Sequence, residues 1–176
     1  MTALGVRPMT VDEFVGWQRA SAEAFARHQV AAGTWAEDGA LERALEANEA
    51  TLPAGIATER MLFLRAVVDE RPVGHAWVGL DHPRGAVDCA FIYDIEIDEP
   101  WRGRGYGRML LAALEDAVRE AGVPSLELNV HGGNATAISL YESAGYAVVT
   151  QQMRKTLSTR GRIGGLPPLR APERAP

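Results

Sequence analysis

Apolar positions along the chain change their period several times, and each change marks an element. In "TVDEFVGWQRASAEAFARHQVAAG", Phe14, Trp17 and Phe25 mark one side of a helix that starts at about Thr10. Thr10 is the N-cap, and Asp12 and Glu13 fall in the first turn, where negative charge meets the positive end of the helix dipole. A second helix is expected in "AEDGALERALEANEA". The pattern then turns to strand chemistry. "MLFLRAVVDERPVGHAWVGL" holds two apolar runs joined by the turn signal "DERPVG", "DHPRGAV" is a loop, and "DCAFIYDIEI" is a third strand.

A helix follows from about Gly105 to Glu120. Leu110, Leu114, Ala117, Val118 and Ala121 line its apolar face, and Gly122 and Pro124 end it. "SLELNV" is a short alternating strand, "HGGN" a turn, and "ATAISLYESA" a helix closed by Gly145. "YAVVTQQMRKTL" is expected to complete the sheet as one or two strands. Two helices, two strands, then strand–helix–strand–helix–strand make a mixed α/β sheet domain.

At 176 residues the chain fits one domain, here residues 1–157. Residues 158–176, "STRGRIGGLPPLRAPERAP", are rich in Pro, Gly and Arg and are expected to form a disordered tail. The one cysteine, Cys89, rules out an internal disulfide and reads as a small core-facing residue. A net charge of −5 speaks against a nucleic-acid surface and for a cationic partner. No run approaches the ~18 apolar residues of a membrane span. "MTALGVRPMT" lacks a signal-peptide core, so the expected location is the cytoplasm, with no membrane partner. His75 and His82 have no metal-ligand spacing, and no metal cofactor is expected.

The chemistry concentrates in "EPWRGRGYGRMLLAALEDAVREAGV". Glycine is costly in ordered structure, so three of them before a good amphipathic helix indicate a need for bare backbone. A P-loop would require a Gly-Lys-Ser/Thr ending that is absent. A dinucleotide fingerprint would require a third glycine where Arg108 stands. What is present is Arg102-Gly103-Arg104-Gly105-Tyr106-Gly107, followed by Arg108, at a helix start. Converging backbone N–H groups, the helix dipole and the arginine forks together suit a pyrophosphate.

This segment resembles the acetyl-CoA-binding motif of the GNAT N-acetyltransferase superfamily. "NATAISLYESAGY", farther on, is similar to that family's second motif, in the correct order. The resemblance covers Val73 to Leu157 and implies a mostly antiparallel central sheet flanked by helices, with one splayed parallel strand pair. It implies acetyl-CoA as co-substrate. The pantetheine arm would lie along the backbone of Ile95, Glu96 and Ile97, and the pyrophosphate on Arg102, Gly103, Arg104, Gly105, Tyr106, Gly107 and Arg108. Asn134 would help hold the coenzyme, and Tyr141 would stand near the thioester sulfur. On the residues alone, Asn134 is equally an N-cap and Tyr141 equally a core aromatic.

Acetyl transfer to an amine needs a route for the amine's proton, polarisation of the thioester oxygen and a proton for the leaving sulfur. Tyr141 is the candidate acid, and a backbone N–H near Ile97 the candidate for the oxygen. Glu96, ahead of Asp94, is the candidate base. Strict alternation puts Ile92, Asp94 and Glu96 on one face and Phe91, Tyr93, Ile95 and Ile97 on the other; a bulge would aim the carboxylates differently. Asn129 cannot serve as a base, and His131 is read as satisfying its turn. Trp17, Phe25, Trp35 and Trp77 are candidate walls for the acceptor, alongside ordinary core packing.

The expected function is therefore acetyl transfer to a primary amine of a small molecule or peptide, by direct attack in a ternary complex. A catalytically silent acyl-CoA-binding module and a dinucleotide-binding protein are the alternatives. A homodimer is left open.

Overall fold

In the computed structural model, which describes residues 3–156, the first helix begins where capping chemistry dictates. The Glu13 N–H donates to the Thr10 hydroxyl, and the Thr10 N–H donates to the Glu13 carboxylate, a reciprocal capping box. Both terminal guanidinium nitrogens of Arg7 also donate to Glu13, at 2.7 and 2.8 Å. These Arg7 bonds are the main reason the Glu13 carboxyl is lowered to about 2. The helix, α1, runs Val11–Ala31, and α2 covers Ala40–Thr51. The two meet through Ala22, Ala26, Ala40 and Ala44, whose small side chains allow close approach.

Strands β1 (Gly5–Pro8), β2 (Met61–Val68), β3 (Arg71–Gly79) and β4 (Cys89–Ile97) pair antiparallel in that order. β5 (Ser125–Leu128) adds parallel beside β4. The sheet is mixed and mostly antiparallel, with one parallel pair, as expected. β1 was not anticipated: four residues ending in proline carry no alternation to announce a strand. Among the described residues no helix is long and apolar enough to cross a membrane.

Each face of the sheet has its own core. α3 (Tyr106–Glu120) buries Leu110, Leu111, Leu114 and Val118 against Leu64, Ala66, Ala76, Val78, Ala90 and Ile92. On the other face α1 lays Phe14 and Trp17 against Phe63 and Trp77, and Tyr93 stacks on Trp77 with 4.3 Å between ring centroids. α4 (Ala135–Ser143) returns Leu140 and Tyr141 to the α3 side.

One irregularity in β4 corrects the alternation expected from the sequence. Val78 pairs with Ile92 but Trp77 pairs with Asp94, so Tyr93 is a surplus residue, a β-bulge. Ile92 therefore joins the α3-side core with Ile95 and Ile97. Asp94 and Glu96 still share a face, but it is the opposite one, beneath α1. The extra residue advances the phase by one, and every side chain after it changes sides.

The expected strands in "YAVVTQQMRKTL" are absent: residues 147–156 form neither helix nor strand. Val148 and Val149 stay 78% and 71% exposed. Their β-propensity describes a fit to a pleated, half-buried surface, and no ladder forms here to supply one. The tail expected from Ser158 lies outside the described residues.

Candidate active site

The glycine stretch forms the entry to α3. Gly103 and Gly105 adopt φ of +76° and +82°, the left-handed region that side chains resist, and Gly105 is the N-cap. No side chain caps this helix, so its first N–H groups are left for another partner. A Cβ at Gly103 would meet nothing within 4 Å. These observations fit an anionic diphosphate held by backbone.

The three arginines stand around that terminus in different engagements. Arg102 donates through Nε to the Ile97 carbonyl (2.8 Å) and through Nη2 to Glu96. Arg104 donates to the Pro100 carbonyl and lies over the Trp101 ring. Arg108 donates to the Ser143 hydroxyl of α4 (2.8 Å), tying the two helices together. All three are exposed and available to an anion at the cost of exchangeable contacts. Tyr106 sends its side chain into the core, leaving only its backbone at the loop.

Beside this loop, β4 loses a neighbour. The parallel pairing ends at Ile92 with Leu128, while β4 continues through Tyr93 to Ile97. The backbone of Ile95, Glu96 and Ile97 thus has no β5 partner on that edge, as a splayed pair requires. Asn134 is the N-cap of α4, its side-chain oxygen accepting from the Ala137 N–H at 3.1 Å.

The two carboxylates of β4 occupy unlike surroundings. Glu96 is 46% exposed and ion-paired with Arg102. Asp94 is 27% exposed and holds three donors on one oxygen. His75 Nε2 lies 3.0 Å from it, with Trp17 Nε1 and Ser21 Oγ each at 3.3 Å. Burial pushes this carboxyl up, but the hydrogen bond and charge of His75, with the Trp17 and Ser21 bonds, outweigh it, and the net shift is downward. Tyr141 moves the other way. Burial raises its phenol, and the negative charge of Asp94 raises it further.

The sequence raises His75 only as a metal ligand to be set aside, and it does not point to Ser21 or to this use of Trp17. The available signals were a lone imidazole in the apolar strand "VGHAWVG" and the one-turn spacing of Trp17 and Ser21 on α1. Phe25 and Trp35 pack edge to face on each other, and Phe25 remains 42% exposed. His131 serves its turn through its carbonyl, which accepts from the Asn134 N–H. Among the described residues no three His, Cys, Asp or Glu side chains gather as a metal would need.

Residues 18–146 match the model of the acetyltransferase (GNAT) family. The chain is 34% identical over 158 residues to the N-acetyltransferase YdgE of Bacillus subtilis, covering 88% of this chain and 99% of that one. It superposes on the crystal structure of the acetyltransferase YycN of the same organism with a TM-score of 0.81 at 32% identity, over 89% of this chain and 99% of the other. A [ribosomal protein bS18]-alanine N-acetyltransferase of Salmonella typhimurium shares 38% identity over 92 residues, 52% of this chain and 59% of its own.

Proposed function

The chain belongs to the acetyltransferase (GNAT) family, and from that premise we propose that it transfers an acetyl group from acetyl-CoA to the primary amine of a small molecule or peptide, by direct attack in a ternary complex. The observation that carries this reading is a juxtaposition. An uncapped, glycine-entered helix terminus adjoins the unpartnered end of β4, and the charge of an ionised carboxylate on β4 bears on a proton-holding phenol on α4.

Each group then has a task. Gly103, Gly105 and Gly107 give the diphosphate access to backbone N–H groups, with Arg102, Arg104 and Arg108 as surrounding positive charge and Asn134 at the start of α4. The peptide groups of Ile95, Glu96 and Ile97 hold the pantetheine arm as an added strand would be held. Acetyl-CoA supplies a thioester whose carbonyl carbon is open to a neutral amine. Tyr141 keeps the proton that the sulfur takes as it leaves. Asp94 and Glu96 supply negative charge that favours a cationic acceptor and lie on the path by which its proton departs. A relative named for acting on the alanine of a ribosomal protein makes an alanine-initiated peptide a first acceptor to try.

The test is a panel of amines, including alanine-initiated peptides, polyamines and aminoglycosides, monitored by free thiol release, beside calorimetric titration with acetyl-CoA. Acceptor-dependent thiol and saturable binding that Gly105→Glu abolishes are expected. Undiminished binding by that variant would remove the cradle assignment.

A further inference from the structure

We propose that His75 takes the proton from the acceptor amine and that Asp94 acts as its positioning residue; this assignment rests on the transferase reading above. Asp94 Oδ2 lies 3.0 Å from His75 Nε2 and also accepts from Trp17 Nε1 and Ser21 Oγ. An ionised carboxylate has only lone pairs to offer, so the imidazole nitrogen facing it must carry the hydrogen. Whenever the ring is neutral, Nδ1 is therefore the nitrogen that presents a bare lone pair. The contact with Asp94 engages Nε2 and not that nitrogen.

Packing fixes the ring as well. His75 is 13% exposed, and its ring lies 6.1 Å from that of Trp17. When the ring accepts a proton, the adjacent carboxylate neutralises the imidazolium, the division of labour between an acid and an imidazole. Neither carboxylate alone is as well suited. Asp94, held below the ordinary range, is a weak proton acceptor. Glu96 is engaged by Arg102 at the surface.

The charges that bear on His75 come from four directions. Across β2 its register partner is Arg65, which faces Glu13 of α1 at 3.4 Å. Across β4 its register partner is Glu96, with Asp94 beside it. From α4 the Tyr141 phenol, raised first by burial and then by the charge of Asp94, is the remaining titratable group.

The step balances as follows. An N–H bond of the acceptor ammonium breaks and a bond to Nδ1 forms, directly or through one water. The electron pair left on nitrogen forms the C–N bond as the thioester C–S bond breaks. Tyr141 gives its proton to the sulfur and recovers one from the acylated nitrogen. His75 releases its proton to solvent, leaving amide, free thiol and one proton.

His75→Gln is the discriminating variant, because its amide can still donate to Asp94 but cannot accept a proton. At pH 7, kcat/KM is expected to fall about 100-fold or more. Acetyl-CoA affinity and melting temperature should be unchanged. The loss should shrink towards pH ~10, where a lysine-like amine is neutral without help. Long-range 1H–15N spectra of the full chain at pH 8 should show His75 as the Nε2–H tautomer, and Asp94→Asn should mix the tautomers. An Nδ1–H or charged ring in the wild type overturns the proposal. So does a His75→Gln enzyme with intact turnover and an unaltered pH profile, even while the wild type acetylates the panel. A wild type that binds acetyl-CoA but releases thiol to no amine overturns the transferase reading, and this one with it.

Discussion

The phenol of Tyr141, on α4, lies within reach of the charge of Asp94, on β4: burial raises its pKa and the carboxylate raises it further. Two elements far apart in sequence thus bring a retained proton under the influence of a fixed negative charge. Tyr141→Phe is expected to lower kcat about 100-fold or more, the usual scale of a lost general acid. The affinity for acetyl-CoA should stay within about twofold, because the acid proposed here would act on the leaving sulfur and add little to ground-state binding. Asp94→Asn removes the charge that disfavours the phenolate, so the Tyr141 pKa should fall. An ultraviolet difference titration against the Tyr141→Phe background reads that shift directly.

Gly105 and Gly107 sit two residues apart and answer differently to substitution. Gly105→Ala puts a side chain at φ +82°, which costs roughly 1–2 kcal/mol before any ligand is considered. At Gly107 an added Cβ would meet Leu140 at an ordinary 3.5 Å, within a helix. Gly107→Ala should therefore stabilise the fold by roughly 0.5–1 kcal/mol, so any acetyl-CoA affinity it loses reports the diphosphate's need for bare backbone and not a folding defect. Thermal melts paired with calorimetry separate the two outcomes.

Glu13 ties β1, β2 and the start of α1 through Arg7, Arg65 and Thr10. Its carboxyl is lowered in the fold from 4.5 to about 2. A depressed acid stabilises the fold in full above its unfolded value and loses that contribution as pH falls through the folded one. Arg7 is 41% exposed, so solvent screening limits the contribution to about 1 kcal/mol. Glu13→Gln should lower the melting temperature by about 2–4 °C at pH 7. That gap should close between pH 4.5 and about 2 in melts run across the range.

The Glu96–Arg102 pair is largely exposed, and such pairs add little to stability. Glu96→Gln should leave the melting temperature nearly unchanged. With His75 as proton acceptor, it should raise KM for a cationic amine severalfold and keep the acidic limb of the pH–rate profile. Loss of that limb would instead make Glu96 the base.

What could be read in the sequence was what is local. Thr10 announced α1 as an N-cap with Asp12 and Glu13 in the turn after it, and the capping box found there lies within the same four residues. The entry to α3 was legible because glycines, arginines and an amphipathic face follow one another directly. β1 was not, because its reason for existing is β2, more than fifty residues away in the chain. Val148 and Val149 misled in the opposite sense, carrying strand propensity without a ladder. The setting of Asp94 was hidden for the same reason. Its partners His75, Ser21 and Trp17 lie 19, 73 and 77 residues away, and only the packed sheet brings them together.

The surplus residue at Tyr93 falls immediately after the last β4–β5 pair, at Ile92 and Leu128. A bulge bends its strand and tightens the local twist, so the same residue that re-phases the carboxylates also turns β4 away from its parallel neighbour. The aperture between the two strands, which the proposed function gives to a thioester arm, is thus set by a count of residues. Excising Tyr93 would leave every remaining side chain on its present side yet straighten the strand, and the two edges would be free to zip shut over the space proposed for the substrate.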